Sequence, residues 1–154
     1  MHPQAEKLIA QLDESRARIQ AVLDRFQPGQ EIYPGWTKRE FIAHVAGWDD
    51  GTILAITDFV EGRPPKETPA RKGIDFYNAH SVETRVEMDL DHIVREWEFN
   101  RKALKDLLAK VADDKFGIQF QFPWQERGDI HHIVRIMIHH EHEHAEELEK
   151  MISD

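Results

Sequence analysis

Apolar residues recur at intervals of three and four along several stretches of the chain, which is the spacing of one face of an α-helix. The first stretch covers residues 3 to about 26, where the Gln27-Pro28-Gly29 sequence ends it. A second begins after Thr37, which forms a capping box with Glu40, and continues to Val60. The pattern predicts two long amphipathic helices in the first 60 residues.

The same periodicity returns in the second half of the chain. A short helix is predicted from Asp75, a longer one after Asp89, and a last one over residues 130 to about 152, with Asp129 as its N-cap. No internal repeat at solenoid spacing is present. The sequence therefore predicts an all-α fold, a four-helix bundle that forms a single domain over residues 1–154.

Two segments between the helices are not helical in pattern. Residues 62–73 are rich in Pro, Gly and basic residues, and this loop is either a mobile lid or a solvated connection. In residues 113–128, side chains alternate with the period of a strand, at Ile118, Phe120, Phe122 and Trp124. Because no partner strand appears elsewhere, we predict an extended segment across the bundle that buries these alternate side chains.

Composition removes several classes of function. The chain has 20 basic and 29 acidic residues, and its net charge of -9 repels a phosphate backbone, so nucleic acid is not an expected partner. There is no cysteine, which excludes disulfides and thiolate metal sites. The N-terminus is polar and no apolar run approaches the roughly 20 residues of a membrane span. We expect a soluble, cytoplasmic protein with no membrane partner.

The last helix carries the strongest chemical signal. His140 and His144 are the only two histidines of the chain separated by four positions, so they lie on one helix face and can chelate one ion. With Glu141 between them they also form H-E-x-x-H, the pattern of zinc helices in which the glutamate is a general base. This match predicts a metal site on the last helix.

The surrounding residues do not fit an ordinary zincin protease. At the downstream positions where one large zincin class has a glycine and a third histidine, this chain has Glu147 and Lys150. Only ten residues follow His144, so we expect the third protein ligand upstream, and His44 on the second predicted helix is the best candidate. A site of three histidines across two helices is thus favoured.

A di-iron site of the ferritin type is an alternative, because Glu141 and His144 supply one Glu-x-x-His motif. The second such motif is missing, and Asp89 with His92 is the nearest approach to it. This alternative is therefore less favoured than three histidines.

Glu141 falls near the middle of the apolar stripe of the last helix, where an unpaired carboxylate would be costly. Two roles remain open for it. It is either a catalytic acid or base beside the metal, or the partner of a buried arginine or hydroxyl group. Glu143 and Glu147 lie away from the centre of the stripe, and we expect both to be largely solvated.

The order and spacing of several short motifs resemble the DinB-like (YfiT-like) family of metal-binding four-helix bundles, over nearly the whole chain. The motifs are Trp36 with the following capping box, FIAHVAGWDD, the Gly-Arg-Pro-Pro loop, DFYNAHSVETR and HHEHEHAEEL. The resemblance implies a divalent metal, for example Zn, Ni, Fe or Mn, on one histidine of the second helix and on an H-x-x-x-H pair of the last. Those positions are His44, His140 and His144.

The family includes thiol-dependent transferases, a maleylpyruvate isomerase branch, cyclopropane hydrolases and members without known activity. The resemblance therefore implies a metal-dependent enzyme, a thiol transferase or a hydrolase, that acts on a small-molecule substrate with a low-molecular-weight thiol as cosubstrate. We also expect a homodimer. Two other hypotheses stay open, a non-catalytic bundle that binds or sequesters a small molecule and a structural bundle without metal.

Overall fold

Four long helices form the bundle in the computed structural model, which describes residues 1–153. They are α1 (Pro3–Leu23), α2 (Lys38–Val60), α4 (Leu90–Lys110) and α5 (Ile130–Ser153), and the short helix α3 (Ile74–Glu83) precedes α4. Single turns of 3-10 helix occur at Pro69–Lys72, inside the basic loop, and at Asp113–Lys115. The predicted all-α class and the four main helices are confirmed.

The helices begin where capping side chains satisfy free backbone N–H groups. At α2, the carboxylate of Glu40 accepts hydrogen bonds from both the backbone N–H and the hydroxyl of Thr37. Asp89 accepts from the N–H of His92, and Asp129 accepts from the N–H of His132. Because these caps are local interactions, the starts of α2, α4 and α5 were predicted correctly from the sequence.

Helix α1 packs mainly against α5, and α2 packs mainly against α4, whereas direct contact between α2 and α5 is slighter. Two apolar clusters form the core, and each long helix contributes to both. The first cluster includes Leu12, Ile56, Leu104 and Ile133, and the second includes Ile19, Phe41, Ile93 and Leu148. Burial of these side chains is the main stabilising contribution to the bundle.

The prediction for residues 113–128 was wrong in one respect. This segment contains its own strand partner, because β1 (Phe120–Gln121) pairs antiparallel with β2 (Arg127–Gly128) in a small hairpin. Its turn includes Gln125 at a φ of 70°, and the N–H of Phe122 donates to the carbonyl of Glu126 at 2.7 Å. The second strand has only polar residues and glycine, so periodicity could not reveal it.

The predicted alternation of buried side chains in this segment holds for most of its residues. Phe120 and Phe122 are buried and Trp124 is partly buried, but Ile118 is exposed. Ile118 precedes the hairpin, so the packing that covers the other three does not reach it. No helix within residues 1–153 combines the length and the hydrophobicity that a membrane crossing requires.

Candidate functional site

Three histidines from two helices meet in the bundle. His44 of α2 faces His140 and His144 of α5, and one ring nitrogen of each lies within 4.8 Å of the others. The Nε2 atom of His140 is 3.2 Å from that of His44 and 2.9 Å from that of His144. The three residues singled out from the sequence are thus brought together.

The two nitrogen separations match those of ligands on one ion. Metal–nitrogen bonds of about 2.0–2.1 Å at angles of about 90–110° place two ligand nitrogens roughly 2.9–3.4 Å apart. The separations of 3.2 and 2.9 Å fall within this range. The donor set of three imidazoles also suits a borderline divalent cation. The residues therefore fit a metal ion.

Hydrogen bonding among the three rings explains their close approach less well than a bound metal ion does. A neutral imidazole nitrogen carries either one hydrogen or one lone pair, so the Nε2 atom of His140 can form a linear hydrogen bond to one neighbour only. It nevertheless contacts both His44 and His144. A cation that accepts all three lone pairs would satisfy both contacts at once.

The rings are uncharged over the physiological range. Burial, together with the neighbouring His140 and His144, lowers the pKa of His44 to about 3. Burial and the neighbouring His144 lower the pKa of His140 to about 4. Burial also lowers the pKa of His144, although the carboxylates of Glu147 and Glu143 oppose this effect. Neutral imidazole is the form that binds metal.

Tyr33 sets the tautomer of His144. Its hydroxyl donates to the carboxylate of Glu147 at 2.7 Å and lies 3.0 Å from the Nδ1 atom of His144. Burial and the hydrogen bond to Glu147 raise the pKa of Tyr33, so the hydroxyl keeps its proton. Since that proton is directed to Glu147, the tyrosine oxygen accepts from Nδ1–H, which leaves the Nε2 lone pair of His144 free.

Aromatic side chains surround the three histidines. The ring of Trp36 lies 5.4 Å from that of His44, and the ring of Trp48 lies 5.7 Å from that of His140. Trp124, which the hairpin carries, packs edge-on against Trp48 at 5.2 Å. These rings limit the access of water and lower the local dielectric constant, which strengthens electrostatic interactions at the site.

Glu141 has the contacts of a structural partner rather than those of an acid or base at the cluster. Its Oε1 atom accepts from Ser15 at 2.6 Å and from Arg101 at 3.0 Å, and its Oε2 atom accepts from Arg16 at 3.0 Å. Burial would raise the pKa of Glu141, but the two guanidinium groups and the Ser15 hydroxyl outweigh burial and lower it. We therefore assign Glu141 no proton-transfer step.

Glu143 and Glu147 are exposed, as expected, although Glu147 also binds Tyr33. Within residues 1–153, the three histidines are the only group of histidine and acidic side chains that meets the spacing of a metal site. The carboxylate-rich arrangement of a ferritin-type site is thus not formed.

The roles of Tyr33 and of the arginines that hold Glu141 were not predicted from the sequence. Arg16 and Arg101 each stand where the helical period calls for an apolar residue, between Leu12 and Ile19 in α1 and between Trp97 and Leu104 in α4. A charged residue at a helix position that the apolar period buries indicates a buried ion pair, so these two arginines could have been predicted. Tyr33 lies in a connection without periodicity and left no such signal.

Comparison with known proteins agrees with this architecture. Residues 11–148 match the DinB superfamily over most of the chain. The chain belongs to the DinB superfamily. No protein with a curated description matches the sequence.

Two solved structures with the DinB fold are similar to this one. The crystal structure of the mycothiol-dependent maleylpyruvate isomerase has a TM-score of 0.76 and 13% identity. A variant of that isomerase with one histidine replaced by alanine has a TM-score of 0.75 and 14% identity. In both cases the match covers 94% of this chain but only 60% of the isomerase. At this level of identity the likeness establishes the fold alone.

Proposed function

We propose that this DinB superfamily protein is a divalent-metal-dependent enzyme that acts on a small molecule, and that His44, His140 and His144 are its metal ligands. The observation that carries the proposal is the convergence of three Nε2 atoms at separations of 3.2 and 2.9 Å. A divalent cation held there would lower the pKa of a thiol or a water molecule that reaches its open position.

The reaction that we favour is transfer or isomerisation with a low-molecular-weight thiol as cosubstrate. The similar solved structures are of a mycothiol-dependent enzyme, which supports this class. The chain has no cysteine, so the protein itself cannot supply a thiol. A hydrolase that uses water at the same position is the second candidate, because the chemistry of the three histidines suits both ligands.

The residues of the chain have defined tasks in this proposal. Tyr33 and Glu147 hold the proton of His144 at Nδ1, which keeps Nε2 available as a ligand. Trp36 and Trp48 shield the rings of His44 and His140 from bulk water. Glu141 is held by arginines and does not take part in the chemistry.

The proposal is tested by loading tag-free protein separately with Zn²⁺, Mn²⁺ and Ni²⁺ and measuring the conversion of a panel of small electrophiles, both with and without a thiol such as mycothiol. We expect turnover that depends on metal and is abolished in His144→Ala. The control is His139→Ala, which removes an exposed histidine from the same helix. Turnover without thiol would indicate a hydrolase, and turnover that survives in His144→Ala would contradict the proposal.

A further inference from the structure

A layer of charged side chains crosses the interior of the bundle. Arg16, Asp49, Arg101 and Glu141 come one from each long helix, α1, α2, α4 and α5, and all four are buried. In every helix the charged residue lies, along the sequence, between residues of the first apolar cluster and residues of the second. We call this set the ionic layer.

The ionic layer alternates in charge around a closed ring. Arg16 donates to Asp49 at 3.1 Å and to Glu141 at 3.0 Å. Arg101 donates to the same two carboxylates, at 3.2 Å to Asp49 and at 3.0 Å to Glu141. Each guanidinium group thus joins one carboxylate to the other, and the four charges sum to zero.

The two carboxylates belong to the helices that carry the histidines. Asp49 follows His44 in α2 by five residues, and Glu141 is the residue next to His140 in α5. Because α2 and α5 make few direct contacts, their relative position depends on what joins them through α1 and α4. The arginines of the ionic layer come from those two helices.

Apolar packing is a weak means of fixing such a position. Hydrophobic contacts are non-directional, so they specify the position of a helix less sharply than directional contacts do. Hydrogen bonds between guanidinium and carboxylate groups depend strongly on distance and angle. A buried ion pair often adds little net stability, and its best-supported role is to select one arrangement among several.

We propose that the ionic layer fixes the position of α2 relative to α5 and thereby sets the separation of His44 from His140 and His144. Arg16, Asp49, Arg101 and Glu141 are then positioning residues for the three-histidine site. This inference rests on the proposed function where it concerns metal, but the separation of the histidines is a property of the protein alone.

The test replaces the whole layer with apolar side chains of similar size, in the variant Arg16→Met, Asp49→Leu, Arg101→Met and Glu141→Leu. Such replacements are often neutral or stabilising, because no charge is left unpaired. We expect a folded helical protein in which the affinity for Co²⁺ falls by about 10–100-fold, as for the loss of groups that orient ligands. The visible absorption spectrum of bound Co²⁺ should change as well.

A matched control comes from a third buried arginine, which lies outside the ionic layer. Arg85 binds Asp50 and Glu96, which joins α2 to α4 without involving α5. In Arg85→Met we expect lower stability but an unchanged affinity and spectrum of Co²⁺. If the apolar variant does not fold, Glu141→Gln is used in its place, because it keeps the shape of the side chain and removes its charge.

The outcomes separate this inference from the proposed function. Failure of the wild-type protein to bind Co²⁺ would overturn the metal site. The inference itself is then decided by crystal structures of the metal-free apolar variant and of the metal-free wild-type protein. We expect the Nε2 atoms of His44 and His140, 3.2 Å apart here, to lie farther apart in the variant than in the wild-type crystals. An unchanged separation, or a Co²⁺ affinity within about threefold of wild type with the same spectrum, would overturn the inference.

Discussion

The Nε2 atoms of His44 and His140 lie 3.2 Å apart, although 96 positions separate the two residues in the sequence. The first is on α2 and the second on α5, two helices that contact each other only slightly. Their approach therefore depends on the packing of the whole bundle.

The substitution His44→Ala should weaken metal binding by more than the roughly 10–100-fold expected for the loss of an orienting group, since it removes a ligand. The helical fold should remain, because the bundle is stabilised mainly by its apolar clusters. Affinity is measured by competition with a chromophoric chelator, and helicity by circular dichroism. The control is His139→Ala, and equal affinities in the two variants would remove His44 from the site.

The substitution Tyr33→Phe should lower metal affinity by about 10–100-fold while His44, His140 and His144 are all retained. It removes the hydroxyl that accepts from Nδ1 of His144, so the tautomer of that ring is no longer selected. Tyr77→Phe is the matched control, because the Tyr77 hydroxyl donates to the carbonyl of Gly47 and does not contact the cluster. Similar metal affinity in the two variants would show that Tyr33 is not an orienting residue.

Much of this fold follows from the sequence in physical terms. The starts of α2, α4 and α5 were predictable because Thr37, Asp89 and Asp129 cap them in a local interaction. His140 and His144 were also predictable as a pair, because side chains four residues apart on a helix are neighbours. Such local rules require no knowledge of the tertiary structure.

Other features depend on contacts that no local pattern records. The partner of β1 is β2, whose two residues are too few and too polar to show periodicity. Tyr33 reaches His144 only because the connection before α2 passes beside α5. The role of Glu141 depends on Arg16 of α1 and Arg101 of α4, which donate to it. Their proximity follows only from the packing of α1 and α4 against α5.

The metal-free protein should lose stability as the pH falls below about 6.5. The pKa values of His44 and His140 are lowered in the folded state to about 3 and about 4, so the unfolded chain binds more protons below 6.5. The unfolding free energy should therefore decrease by about 1.4 kcal/mol per pH unit for each of these histidines. His144, whose pKa burial also lowers, acts in the same direction, whereas burial raises the pKa values of Asp49 and Asp50, which acts in the opposite direction. The contribution of His44 is therefore obtained from the difference between the wild-type protein and a variant without this histidine.

This pH dependence is measured by urea denaturation in the presence of a chelator. The matched variant is His44→Ala, in which the decrease between pH 6.5 and 5 should be shallower by about the contribution of one histidine. A slope equal to that of the wild-type protein would show that His44 is not buried as a neutral base.

The substitution Gly47→Ala should destabilise the protein by about 1–3 kcal/mol, as expected for overpacking. A Cβ atom at this position of α2 would lie 2.2 Å from the hydroxyl oxygen and 2.6 Å from the Cβ atom of Ser81, so α3 would have to move. Gly29→Ala is the control, because nothing lies within 4 Å of its added carbon. Equal melting temperatures for the two variants would contradict the close packing of α3 on α2.

The metal content of tag-free protein tests the central claim most directly. The protein is dialysed against Zn²⁺ and then against metal-free buffer, and the ion is quantified by mass spectrometry beside the variant that carries His44→Ala, His140→Ala and His144→Ala together. We expect one divalent ion per chain in the wild-type protein and none in the triple variant. A wild-type protein that retains no ion, or a triple variant that retains as much as the wild type, would contradict a metal site on these three histidines.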